Sequence, residues 1–298
     1  MDERRLEVFS AVADELSFTG AARRLHLSQS GVSQQVAALE RELGAVLFER
    51  TRRSVRLTAA GVAFRRHAEA VLAESAAGRR AVAAAQGAVE GDFTVAASLT
   101  IGSYVLPPAL AVLVHRHPAL RPLVRVENTQ QVVAELRAGT IDLGFVEGVV
   151  DDPAVSLERI GRDELVLIAP AGHRFEAYVE VPLAELAAEP LVVREQGSGT
   201  RQVAELHLRA AGLRAEDLRV VAELTGIEAT KGAVESGVGV AIISAGAVKK
   251  ELRLGTLVAR PVAGLSIERE INAAVATGRL LAPAVPELLG ILHERRPL

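Results

Sequence analysis

Apolar positions recur at helical spacing from the start of the chain. Leu6, Phe9, Ala13 and Leu16 make one stripe, and Phe18, Ala21, Ala22 and Leu25 make a second, an i, i+3, i+4, i+7 set. Ser17 and Thr19 stand where a second helix needs an N-cap, and Ser28 stands where a third does. The spacing predicts that third helix over 29–43, with Gly44 as its C-terminal stop. Within it Val32, Val36, Leu39 and Leu43 fall within about 60° of one another at ~100° per residue. The opposite face carries Ser30, Ser33, Gln34, Ala37 and Arg41. Solvated faces usually carry Glu and Lys. Short hydroxyls and amides instead suit a helix that lies in the major groove, where Gln34 and Gln35 can pair with adenine. Two short helices joined by a tight turn read as helix-turn-helix.

The pattern then changes period twice. In LFERTRRSVRLTAAG, Arg50, Arg52, Arg53 and Arg56 alternate with Val55 and Leu57, as in a short hairpin with a basic tip, a wing suited to phosphates or the minor groove. From Thr58 to Val89 runs a proline-free, Ala-rich stretch. Phe64, Ala68, Val71, Ser75, Gly78, Val82, Ala85 and Val89 repeat there at 4,3,4,3 spacing, the seam of a coiled coil. Gly78 weakens such a helix by ~1 kcal/mol relative to Ala. This seam predicts a dimer.

From Asp92 on, strand and helix patterns alternate. FTVAAS, LVRVEN, IDLGFV, ELVLIAP, LVVRE, RVVAEL and VGVAIIS read as strands, with helices between them, among them a Pro107-opened helix and that of QQVVAELRAG. Such alternation predicts parallel sheets with crossover helices in two subdomains, and SIEREINAAVAT and PAVPELLGILHE can return to complete the first.

Composition narrows the function. At 49% apolar over 298 residues the chain can bury a full core, and the length suggests roughly two domains. It has no cysteine, which excludes disulfides, thiolate metal sites, cysteine nucleophiles and thiol redox sensing. The net charge of −3 hides an asymmetry. Residues 23–66 hold nine arginines against Glu40, Glu42 and Glu49, while residues 91–298 carry 21 basic and 26 acidic groups. That reads as a polyanion-binding head on an acidic body. MDERRLEVF shows no signal-peptide pattern, and the apolar runs VLPPALAVLV and VGVAIISAGAV fall short of the roughly 18–20 residues that span a bilayer. The expectation is a cytoplasmic protein without a membrane partner.

The segment SFTGAARRLHLSQSGVSQQVAALERELGAVLFERTRRSVRLTAAG, residues 17–61, resembles without gaps the winged helix-turn-helix of LysR-type transcriptional regulators. It carries the phrases SFT-x-AA-x-x-L, LFER and R-x-V-x-LT-x-AG. Gln34 stands where that family often has arginine, and Ser30 where proline is common. The resemblance implies an α/β protein with an all-α N-terminal head. The winged helix-turn-helix would occupy 1–61 and a linker and dimerisation helix 58–90. A two-lobed, periplasmic-binding-protein-like (type 2) effector domain would fill 91–298. Lobe I would cover about 91–161 and 266–298 and lobe II about 162–265. The DNA-binding candidates are Ser28, Gln29, Ser30, Ser33, Gln34, Gln35, Arg50, Arg52 and Arg53. Implied partners are double-stranded DNA, a small effector between the lobes and a second copy of the chain. A tetramer and contact with RNA polymerase stay open.

An effector cleft should lie at the C-terminal ends of strands. Three segments meet that rule: Ser98 and Thr100 after FTVAA, Asn128 and Thr129 after LVRVE, and Gly197, Ser198, Gly199, Thr200 and Arg201 after LVVRE. The last offers glycines for close backbone approach, hydroxyls, a positive charge and a helix N-terminus, which suits an anion. A plain turn with an N-cap is the alternative reading. The common property of these residues is donation without a run of acids beside them, which suits a carboxylate, sulfate or phosphate. No P-loop, nucleophile elbow or G-x-G-x-x-G is present, so no enzyme and no cofactor are expected. His115 and His117 would point about 160° apart on a helix and cannot share a metal. Glu40 and Glu42 read as solvated, and Asp151 and Asp152 before Pro153 as a turn between lobes. A solute-binding or enzymatic α/β protein whose N-terminal helices serve assembly is the competing class. The recognition face, the arginine wing and the absent export signal distinguish the two.

Overall fold

The computed structural model describes residues 2–50, 54–85 and 89–295. The chain forms two compact units, one built on Met1–Val82 and the other on Ala83–Arg137 and Ile141–Leu298.

The first unit opens with α1 (Glu3–Glu15), α2 (Phe18–Arg24) and α3 (Gln29–Leu43), followed by β1 (Phe48–Arg50), β2 (Val55–Leu57) and α4 (Ala59–Ala85). Its core is Leu6, Phe9, Val12, Phe18, Ala21, Val32, Val36, Leu39, Leu47, Phe48 and Ala68, the apolar stripes of three helices facing one another. Each large side chain so buried contributes about 1.5–3 kcal/mol. Phe9 packs against Phe48 and Phe64 at centroid distances of 5.2 and 5.1 Å. Two stripe positions depart from the expected pattern. Leu16 is the left-handed C-cap of α1 and half exposed, and Leu43 lies on the last turn of α3, beyond the reach of the core.

The expected seam along α4 also divides. Phe64 and Ala68 are spent on the core of their own unit, whereas Val71 and Val82 are exposed in the single chain. Arg65 and Arg79 tie α4 to α1 through Asp14 and Glu3, both at 2.9 Å.

The second unit runs β3 (Gly91–Ser98), a π-helical turn (Ile101–Val105), α5 (Leu106–Arg116), β4 (Leu120–Glu127), α6 (Thr129–Ala138), β5 (Leu143–Glu147) and β6 (Val155–Pro170). It continues with α7 (Leu183–Ala188), β7 (Pro190–Arg194), α8 (Gly199–Ala210), β8 (Arg219–Leu224), α9 (Ile227–Glu235) and β9 (Ala241–Ser244). It closes with α10 (Lys249–Leu254), β10 (Leu257–Arg260), β11 (Ile267–Ala276) and α11 (Ala284–Arg295). As expected, β3 is parallel to β4 and β5, and β7 is parallel to β8. The middle is not parallel: β11 runs antiparallel to β5 and β6, and β6 antiparallel to β9 and β10. Antiparallel neighbours need no crossover between adjacent strands, so the chain leaves along β6, builds the second lobe and returns along β11.

β6 and β11 belong to two cores. Ile160 and Ile271 pack in lobe I with Phe93, Leu106, Leu113, Phe145 and Leu288. Leu165, Leu167 and Ile267 pack in lobe II with Phe175, Leu186, Val203 and Ile242. Between those apolar stretches, Asp163 and Arg269 face each other in register at the joint of the lobes. No helix among the described residues is long and apolar enough to cross a membrane.

Candidate DNA-binding face and effector cleft

Ser28 starts α3 by accepting the Gly31 N–H at 3.0 Å, and its hydroxyl lies 3.1 Å from that of Ser30. With Val32, Val36 and Leu39 buried, the helix has one orientation on its core. Gln29, Ser30, Gln34, Ala37 and Arg41 are left exposed, with Ser33 and Gln35 half-buried at the margins. The turn before α3 places His26 at φ 54°, a region histidine enters more readily than most residues.

The hairpin of β1 and β2 pairs Phe48 with Leu57 and Arg50 with Val55. Arg50 lays its guanidinium carbon 3.7 Å from the Phe18 ring centroid, which directs an exposed cation from the hydrophobic core's edge. Arg52 and Arg53 lie outside the described residues. Glu40 is not merely solvated as expected: its carboxylate accepts the N–H groups of Leu47 and Phe48, at 2.8 and 3.2 Å, tethering the wing to the recognition helix. The following turn is equally constrained. Thr58 donates to the Val46 carbonyl at 2.7 Å and accepts from the Gly61 N–H at 3.0 Å. A Cβ at Gly61 would lie 2.1 Å from the Leu47 carbonyl oxygen, so only glycine fits there.

In the second unit, tertiary structure gathers Ser98, Thr100 and Thr200 around groups the sequence reading did not single out. Arg269 donates to Thr100 of lobe I at 3.2 Å and to Thr200 of lobe II at 2.8 Å. It holds one Asp163 oxygen with two nitrogens, at 2.8 and 2.6 Å, and lies 3.3 Å from the Glu147 carboxylate. Glu147 also accepts from the Ser98 hydroxyl, and Asp163 from Ser244 at 2.8 Å. The side chains of Arg269, Asp163 and Glu147 are 1%, 2% and 3% exposed, so one guanidinium pins both lobes in a sealed interior. Burial pushes the Glu147 carboxyl above its ordinary range, against the pull of Arg269. The expectation of donors free of acids therefore fails: β5 and β6 bring two carboxylates to the spot. The signal was present as charge in the inward phase of a strand, since Arg269 alternates with Ile267 and Ile271, and Asp163 with Leu165 and Leu167.

The other expected cleft residues sit nearer the surface. A pocket of about 370 Å³ is lined by Thr129, Gln130, Asp151, Gln196, Ser198 and Arg201, among others. Thr129 donates to the Glu147 carbonyl at 3.0 Å. Asn128 caps α6, exchanging two 2.9 Å bonds with Gln131. Ser198 is the N-cap of α8, as the alternative reading of GSGT held. Gly197 is left-handed at φ +82°, and a Cβ at Gly199 would meet the Glu147 carbonyl oxygen at 2.1 Å. Here the glycine lets the two lobes meet rather than admitting a ligand. Arg201 is committed to Glu205 and Glu223, both at 2.7 Å, and to the Arg194 carbonyl at 2.9 Å. At the rims, Gln202 accepts from the Val149 N–H at 3.2 Å, and Lys231 donates to Tyr104 at 3.1 Å and to Glu251 at 2.8 Å. Among the described residues no cluster of three or more metal-ligating side chains occurs.

Comparison with known proteins places both units. Residues 4–62 match the family described as bacterial regulatory helix-turn-helix protein, lysR family, and residues 86–297 match the LysR substrate binding domain. The chain is 34% identical over 281 residues to the RuBisCO operon transcriptional regulator of Allochromatium vinosum, covering 94% of this chain and 92% of that one. It is 30% identical over 267 residues to the HTH-type transcriptional regulator CysL of Bacillus subtilis (strain 168), covering 90% and 88%. Full-length CbnR, solved in complex with its target DNA, superposes with a TM-score of 0.73 at 27% identity, covering 99% of both chains. A helix-turn-helix head and an effector-binding domain, both matched along nearly their full length, make this chain a DNA-binding transcriptional regulator of the LysR family.

Proposed function

We propose that the chain reads a specific operator with the exposed face of α3 and that a small anion held between the two lobes controls this binding. The observation that carries the reading is the Arg269 pin. A single buried cation takes one hydroxyl from each lobe, so a ligand oxygen competing for Thr100 or Thr200 bears directly on the joint between them. Such a ligand acts by preferring one lobe arrangement over another. In this reading Ser28, Gln29, Ser30, Ser33, Gln34 and Gln35 serve the groove, while Arg50, Arg52 and Arg53 serve phosphates. Ser98, Thr100, Asn128, Thr129, Gly197, Ser198, Gly199, Thr200 and Arg201 form or border the effector site.

The domain division follows the same proposal: head at 1–61, linker helix at 58–90, effector domain at 91–298. The exposed Val71 and Val82 support pairing of two copies along α4, to which a tetramer and RNA polymerase contact could be added. The working compartment would be the cytoplasm. Footprinting of the divergent intergenic region beside the gene tests the reading. Arg52→Ala and Arg53→Ala should weaken operator and random DNA alike and flatten the salt slope by about one unit. Gln29→Ala and Gln34→Ala should instead change sequence preference. Thr100→Val should weaken effector binding by roughly 10–150-fold, the loss of one hydrogen bond to an ion. Wing variants that altered specificity and left the salt slope intact would reverse these roles.

A further inference from the structure

The sealed interior does not balance its charges. The groups facing the Glu147 carboxyl are Arg269 from β11, Asp163 from β6, Arg194 from β7, the Ser98 hydroxyl at the end of β3, and Thr100 beyond it. Arg194 is occupied by its neighbour, holding both Glu195 oxygens at 2.9 Å. Asp163 has the tighter grip on Arg269, at 2.6 and 2.8 Å, and has Ser244 besides. Two cations thus serve three carboxylates, and Glu147, at 3.3 Å from Arg269, has the weakest hold on either.

Thr100 and Thr200 both accept from Arg269; the Thr100 hydroxyl also donates to the Glu147 carboxylate, whereas the Thr200 proton is available for donation. An anion arriving there gains the Thr200 hydroxyl and competes with Glu147 for that of Thr100, with a guanidinium behind both, the arrangement charge-assisted hydrogen bonds favour. It also brings a second uncompensated negative charge beside Glu147 in a site closed to water. Like charges at such range suppress each other's ionisation. The least costly relief is one proton from solvent onto the carboxylate, which converts it from an acceptor to a donor able to face the incoming oxygens.

We propose that the cleft takes up its anionic effector together with one proton, which lands on Glu147, and that Arg269 is the group that reads the effector's charge. This rests on the cleft reading above and adds to it a pH dependence. Because the proton is bound with the ligand, affinity must fall as pH rises, by about tenfold per pH unit between the free-state and the anion-bound values of Glu147.

Titration calorimetry of the full-length protein with sulfate and with oxalate tests this, since neither probe titrates between about pH 6 and pH 8.5. Heats measured in two buffers of different ionisation enthalpy should show wild type taking up close to one proton per bound anion. Glu147→Gln, which keeps an acceptor for Ser98 without the charge, should bind with no proton uptake and with affinity flat across the pH range. The wild-type proton count stands even if that variant folds poorly. Anion binding without proton uptake in wild type, or with undiminished uptake in Glu147→Gln, overturns the proton-coupling inference and leaves the cleft reading intact. Failure of both proteins to bind either anion across the pH range overturns the anion cleft, and this inference with it.

Discussion

In the head, the side chains proposed to meet DNA point to solvent: Gln29, Ser30 and Gln34 sit on the outer face of a helix held by Val32, Val36 and Leu39. In the proposed cleft, Ser98, Thr100, Thr200, Glu147 and Arg269 are buried and already bonded to one another. The head keeps its polar groups hydrated and its fold independent of them. The cleft stakes local stability on them, because a buried charge is tolerated only while its partners stay in place. A face meant for a large polyanion can stand ready on the surface. A site proposed to report occupancy to two lobes would have to be wired into the contact between them.

That contrast is most easily broken at Arg269. Arg269→Ala leaves Glu147 and Asp163 buried without their cation, and the effector domain should lose about 3–5 kcal/mol in urea unfolding of the full-length protein. A loss below ~1 kcal/mol would mean the network is not holding the lobes. In the head, the comparable sensitivity lies in backbone packing rather than charge. Gly61→Ala drives a Cβ into the Leu47 carbonyl and should cost about 1–3 kcal/mol along with operator affinity. Gly78→Ala on α4, where nothing lies within 4 Å, should be neutral or stabilising by up to ~1 kcal/mol. If both glycines respond alike, the turn is not where the head is constrained.

A smaller effect carries a sign. The Glu147 carboxyl is raised by burial, so the ionised form is the one the fold disfavours. Its contribution is fully present below the unfolded-state value and is lost as pH rises through the raised folded-state value. Wild type should therefore lose stability relative to Glu147→Gln as pH increases, and the two should converge in acid. Parallel pH profiles would sink this. Smallest of all, Gln34→Ala should leave stability within about 0.5 kcal/mol, as an exposed residue without a packing role. Its effect belongs in selection experiments on randomised operators, as a change of base preference at one position. A stability loss beyond 1 kcal/mol would show that the head, too, relies on its polar face.

Much of the head was legible along the chain. Its helices are local, so Ser17 and Ser28 as caps, the Val32, Val36 and Leu39 stripe and the Gly44 stop all follow from spacing, and the matched family confirms the fold they describe. The misreadings there were Leu16 and Leu43, which keep the period but fall where the helix has run past its core, and Glu40, which holds the wing instead of standing in solvent. Strand and helix alternation likewise announced the two-lobed domain. What spacing could not show was that β6 and β11 return antiparallel through both lobes, because pairing partners more than 100 residues apart leave no local trace. Only that pairing sets Arg269 against Asp163 and delivers Thr100, Glu147 and Thr200 to the same point. Local periodicity decides which residues turn inward. Which buried charges then find each other depends on strand register between distant segments, and only the folded chain decides that.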